Sequence, residues 1–146
     1  MTIRERPGPK VLLVDDDPQQ LRIGAFEMEA YGWSVVTAGS PIEAIAMMAE
    51  ETVDLAILDY DMPMMNGCAL AERLKSISPD LTIILHSGAT NIPRCEMSRV
   101  DACISKDDGL TRFLPQLTEL VEHRIGRYTP EAPKTGSSFL EHGAHS

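Results

Sequence analysis

The chain has 146 residues, 43% of them apolar and only 5% aromatic, with a formal net charge of −9. That length suits one domain with an aliphatic core rather than two, and the apolar share excludes a chain that stays disordered. The acidic balance excludes a surface built to grip nucleic-acid phosphates and favours a divalent cation or a basic partner. The excess lies upstream of residue 127, because Arg127 and Lys134 cancel Glu131 and Glu141 beyond it.

Cys68, Cys95 and Cys103 show no metal-ligand spacing and read as reduced thiols of a cytoplasmic protein. No apolar stretch follows Arg4 and Arg6, and no run reaches transmembrane length. A soluble intracellular protein without membrane contact is expected.

Residues 1–9 are polar with two prolines and read as a flexible arm. Residues 10–14 form an apolar strand, VLLV, that stops at three aspartates. Asp17-Pro18 reads as a helix cap followed by proline in the first turn. The helix it opens should bury Leu21, Ala25, Met28 and Phe26 and end at Gly32. A second strand covers 33–37, and Ser40-Pro41-Ile42-Glu43 has the spacing of a capping box for a helix through Glu51.

The third strand, over 54–58, again ends at an aspartate. Asn66-Gly67 opens a helix to Ile77, a fourth strand covers 81–85, and a shorter helix covers 92–99. A fifth strand spans 101–105. The last helix runs from about Asp108 to Gly126, with Pro115 kinking or delaying it. Residues 127–146, rich in Pro, Gly, Ser and Thr, are expected to be a mobile tail, leaving one domain over 10–126.

Strands alternating with helices predict an α/β fold with a doubly wound, five-stranded parallel sheet of flavodoxin-like order 2-1-3-4-5. Runs such as VLLV, LAIL and TIIL suit parallel strands buried on both faces. In that order the first and third strands are neighbours, so Asp15, Asp16 and Asp59 meet at one edge of the sheet. Ligands of such sheets bind outside the carboxyl ends of the strands.

A single aspartate after a strand is a common turn residue or helix cap, and Asp17 is read as that cap. A pair after one strand and a third after its neighbour asks for more. Carboxylates at close range repel, and a hard cation with oxygen ligands, Mg²⁺, resolves the conflict. Ser87 after the fourth strand and Lys106 after the fifth add a hydroxyl and an ammonium at the same end. Each alone is ordinary, but together with a cation they offer what a phosphoryl group needs for charge neutralisation.

VLLVDDDP, LAILDYDMPMMNG, TIILHSGA and ISK together resemble the receiver domain of two-component response regulators, over roughly residues 10–125. The resemblance implies that Asp59 is the phosphoacceptor, attacking the phosphohistidine of a sensor histidine kinase or phosphotransfer protein. It implies Mg²⁺ held by Asp15, Asp16, Asp59 and the backbone carbonyl of Asp61. Ser87 and Lys106 would bind phosphoryl oxygens. The downstream partner would be another protein.

The sequence departs from the family in three places. Lys106 is followed by Asp107 and Asp108 rather than proline, and Asp107 is a candidate competitor for the ammonium. Cys103 stands where many relatives carry a switching aromatic ring, so it is an altered switch position. The stretch from Ser87 to Lys106 is short and contains Pro93, which moves the expected switching element to residues 87–94.

The leading expectation is a stand-alone phosphorylation switch rather than a turnover enzyme. Two alternatives remain: a binding module that uses the receiver fold without phosphate, and a phosphatase of the haloacid-dehalogenase type. ILDYD resembles the DxD strand motif of those phosphatases, but their fold puts the motif on its opening strand.

Overall fold

The computed structural model describes residues 8–88, 98–124 and 140–141. Residues 1–7 of the expected arm, most of the helix expected over 92–99, and most of the tail lie outside them.

Strand β1 (Lys10–Val14) alternates its side chains between two clusters, Val11 and Leu13 to one, Leu12 and Val14 to the other. The run is apolar throughout because both faces of the sheet are covered. Helix α1 (Pro18–Ala30) starts at the Asp17 cap, whose carboxylate accepts from the Gln19 N–H at 3.0 Å. It stops at Gly32, whose φ of +104° is a left-handed value that glycine reaches without strain.

One expectation for α1 fails. Phe26 is 74% exposed, and the buried residues are Gly24 and Met28, with Leu21 packed beside them. The helix lies so close to β1 that a Cβ on Gly24 would stand 2.8 Å from a methyl of Leu13. That approach fixes the buried line through residues 21, 24 and 28, and turns Phe26 outward.

Strand β2 (Ser34–Ala38) leads to helix α2 (Pro41–Glu50), where Ser40 caps the helix as expected and Glu43 reaches back one residue beyond the cap. Ser40 Oγ accepts from the Glu43 N–H at 3.1 Å, and Glu43 Oε1 accepts from the Gly39 N–H at 2.6 Å. Strand β3 (Leu55–Asp59) is buried at every position. Helix α3 (Gly67–Ile77) is capped by Asn66, whose side chain accepts from the Ala69 N–H at 2.9 Å. Strands β4 (Thr82–Ser87) and β5 (Ala102–Ser105) follow.

The last helix begins later than residue 108. A 3-10 turn, Thr111–Phe113, precedes helix α4 (Leu114–Arg124). Pro115 therefore falls in the first turn, where its missing N–H costs nothing, and it delays the helix instead of kinking it.

The five parallel strands stand in the order β2-β1-β3-β4-β5. A two-residue strand β6 (Leu140–Glu141) adds to the outer edge of β5, antiparallel, with Cys103 opposite Leu140 and Ala102 opposite Glu141. It comes from the stretch expected to be a tail. Residues of α1 and α4 cover one face of the sheet, and those of α2 and α3 cover the other. Trp33, nearly buried, ties α4 to the first of these faces by donating from Nε1 to Thr118 Oγ1 at 3.1 Å.

Candidate functional site

The site forms at the carboxyl ends of β1, β3, β4 and β5. Leu58 pairs with Val14, so the residues that follow in each strand, Asp59 and Asp15, come side by side. Asp15 is anchored at both ends. Its N–H donates to the Ala38 carbonyl at 3.2 Å, and its Oδ1 accepts from the Asp17 N–H at 2.9 Å. Asp15 and Asp59 are each only 5% exposed, while Asp16 faces solvent.

One carboxylate oxygen from each of Asp15, Asp16 and Asp59 lies within 4.8 Å of the others. Burial pushes the Asp59 carboxyl up to about 6, and the neighbouring Asp15 charge adds to this. The Lys106 ammonium and the backbone N–H of Asp61 work the other way without cancelling it. Such a trio is short of positive charge, and converging carboxylate oxygens are the ligands a hard cation takes. The residues present fit Mg²⁺.

Lys106 supplies the positive charge the site does have. Its N–H donates to the Ser87 carbonyl at 3.0 Å, extending the β4–β5 pairing by one residue. From there the side chain reaches back across β4. The ammonium stands 3.0 Å from Asp59 Oδ1 and 3.3 Å from Asp15 Oδ2. Burial works against its charge, but the two carboxylates prevail and hold it above the ordinary lysine value.

The competition expected from Asp107 is not what the structure shows. Asp107 faces solvent, its N–H donates to Ser105 Oγ at 3.1 Å, and the ammonium belongs to Asp59 and Asp15. The bend after Lys106 is made by Gly109 at φ +77°, with the Asp108 N–H donating to the Ser105 carbonyl at 3.1 Å. Ser87 closes β4 and is buried. Cys103, half-buried, packs on the α2–α3 side of the sheet, and burial raises its thiol. Of the expected switching stretch 87–94, residues 89–94 lie outside the described residues.

The β3–α3 loop is held against the site. A Cβ on Gly67 would come 2.5 Å from the Asp59 carbonyl oxygen and 2.8 Å from a Leu85 methyl, so no other residue fits. The Gly67 N–H donates to the Tyr60 carbonyl at 2.9 Å. Met64 turns the loop at φ +77°, with the Met65 N–H donating to the Pro63 carbonyl at 2.8 Å, a tight turn that is uncommon for a non-glycine residue.

Sequence reasoning missed His86. It lies in β4 directly opposite Asp59, and its Nε2 is buried with no hydrogen-bond partner among the described residues. Burial, helped by the Lys106 charge, pulls its imidazole down to about 4, so it is neutral at physiological pH. The signal was present as a polar residue breaking the apolar run TIIL one place before Ser87.

A five-stranded doubly wound sheet with three converging aspartates and a lysine at its carboxyl edge defines a class, the receiver-type α/β domain. Residues 11–117 match the family model described as response regulator receiver domain. The chain belongs to that family.

A receiver domain protein of the CheY-like kind from Methanospirillum hungatei JF-1 is similar in structure. It is 25% identical with a TM-score of 0.75, covering 82% of this chain and 98% of that one. The transcriptional regulatory protein GlrR of Escherichia coli K12 is 34% identical over 104 residues, 71% of this chain and 22% of its own length. The chain thus spans about a fifth of that regulator. The response regulator TrrA, solved in complex with the histidine kinase ThkA, shares the fold at 24% identity and a TM-score of 0.67, over 80% of this chain and 98% of that one.

The Asp15, Asp16 and Asp59 cluster matches the Mg²⁺-coordinating triad of receiver domains, which act as phosphoaccepting switches rather than turnover enzymes. No helix among the described residues is long and apolar enough to cross a membrane.

Proposed function

We propose that Asp59 accepts a phosphoryl group from the phosphohistidine of a sensor histidine kinase or phosphotransfer protein. A carboxylate oxygen of Asp59 attacks phosphorus, the P–N bond breaks, and its electron pair stays on the donor imidazole. The observation that carries this reading is the buried Asp59 carboxylate with the Lys106 ammonium at 3.0 Å beside two further carboxylates.

Asp15, Asp16, Asp59 and the Asp61 carbonyl would hold Mg²⁺, which supplies charge neutralisation for the transferred group. Lys106 passes from the Asp59 carboxylate to a phosphoryl oxygen, and the Ser87 hydroxyl donates to another. Cys103, too small to act as a swinging ring, leaves switching to residues 87–94. The TrrA–ThkA complex supports a kinase as donor. The acidic charge favours a protein target over nucleic acid. Cys68 and Cys103 form no disulfide among the described residues, which fits a reducing cytoplasm. Residues 10–126 are the switching domain, between an arm and a tail.

Incubation with a small phosphodonor, with and without Mg²⁺, tests this by intact mass. One phosphoryl group is expected, dependent on Mg²⁺ and absent from Asp59→Asn. An equal gain in that variant would overturn the assignment.

A further inference from the structure

The orphaned nitrogen of His86 sits where Lys106 has to pass. Strand β4 lies between β3 and β5, so the lysine that stands on β5 reaches Asp59 only by crossing β4. Ser87 pairs with Ser105, which sets Lys106 level with Gly88, a residue that puts no side chain in the way. One step back on β4, His86 is opposite Asp59 on one side and Ile104 on the other. Residues in register share a face, and Ile57, Ile84 and Ile104 all belong to the cluster beneath α1 and α4. Alternation puts Asp59 and His86 on that face, and the lysine side chain spans it.

We propose that His86 is a positioning residue for Lys106, an imidazole that floors the crossing and holds the ammonium over β4 within reach of Asp59. An ammonium has three hydrogens to donate. Asp59 and Asp15 take up two, and Asp15 is also among the residues that would turn to a cation. In the tautomer that carries its proton on Nδ1, the buried Nε2 is an acceptor on the same face, able to replace Asp15 without adding charge. A leucine or valine there would fill the space but offer no acceptor. This inference rests on the role proposed for Lys106 in phosphoryl transfer.

The test uses the full chain with His86→Leu, His86→Val and His86→Gln, the last keeping a polar acceptor. Two readouts are taken. The first is the dependence of Asp59 phosphorylation on the concentration of a small phosphodonor. The second is the ¹⁵N signal of the Lys106 ammonium in unphosphorylated protein with Mg²⁺ bound, when Asp15 has turned to the cation; it is assigned by Lys106→Arg and visible when the group is ordered and slow to exchange.

Leucine and valine should lower the maximal rate about tenfold or more through misplacement, leave the half-saturating donor concentration unchanged, and weaken the ammonium signal. Glutamine should restore much of both. An unchanged maximal rate, or a slowed rate with the ammonium signal intact, would overturn the proposal. If wild type gains no phosphoryl group, the transfer reading fails by itself, and the ammonium signal still decides whether His86 positions Lys106. Should leucine unfold the protein, the valine and glutamine variants carry the comparison.

Discussion

Replacing Asp59 by asparagine should make the cation-free protein more stable, which is unusual for removal of a site residue. Burial pushes the Asp59 carboxyl from 3.8 to about 6, so at neutral pH the folded chain holds a charge it would rather neutralise. At about 1.4 kcal/mol for each pH unit, that rise corresponds to a cost of roughly 3 kcal/mol at neutral pH. Asparagine keeps the shape and removes the charge. The attraction to Lys106 is already counted in that net rise, and Lys106 keeps Asp15 at 3.3 Å; imperfect replacement of the carboxyl's hydrogen bonds by the amide trims the gain to about 2 kcal/mol. For a domain of this size the melting temperature should rise by about 8 °C.

The pH dependence follows from the direction of the shift. A carboxyl whose folded value lies above its unfolded value binds its proton more tightly when folded, so it weakens the fold as pH rises. The advantage of Asp59→Asn should therefore be absent below about 4, grow between about 4 and 6, and level off above. Denaturant unfolding in chelator across pH 4–8 measures it. Added Mg²⁺ should reverse the order by stabilising wild type more than the variant. A variant no more stable than wild type at pH 7 in chelator would refute the electrostatic account of the site.

Gly67→Ala should cost roughly 2–3 kcal/mol by overpacking and slow phosphorylation as well, because the new methyl meets the Asp59 carbonyl oxygen at 2.5 Å. Thermal melts and the mass assay check both effects. Trp33→Phe keeps an aromatic ring but loses the bond to Thr118 and part of the buried indole, and should cost about 2–3 kcal/mol in denaturant unfolding without altering phosphorylation. Deleting residues 127–146 should change the melting temperature little and speed amide exchange in β5 around Ala102 and Cys103, where the two-residue β6 pairs. A loss of many degrees would show that the tail belongs to the folded unit.

The parts of this fold legible in the sequence were those set by local chemistry. The caps at Asp17, Ser40 and Asn66 form where side-chain spacing places them, because each satisfies an N–H two or three residues away. Strand order followed from alternation of elements, and with it the meeting of Asp15, Asp16 and Asp59. What escaped was set by packing between distant elements. Phe26 has helical spacing on paper, yet the close seat of Gly24 on Leu13 rotates it to solvent. The strand at Leu140–Glu141 depends on an edge that exists only once β5 has formed.

His86 shows the limit most sharply. Read along the chain it is a polar residue at the end of an apolar strand, and nothing local gives it work. Its meaning comes from two registers at once, β3 with β4 and β4 with β5, which together put it between Asp59 and the strand that carries Lys106. A buried imidazole nitrogen without a partner is costly in a fold whose caps and turns are otherwise well satisfied. Leucine at that position would extend TIIL and remove the cost. An unsatisfied ring nitrogen beside the site's only paired ammonium among the described residues is therefore better explained by the lysine than by the core.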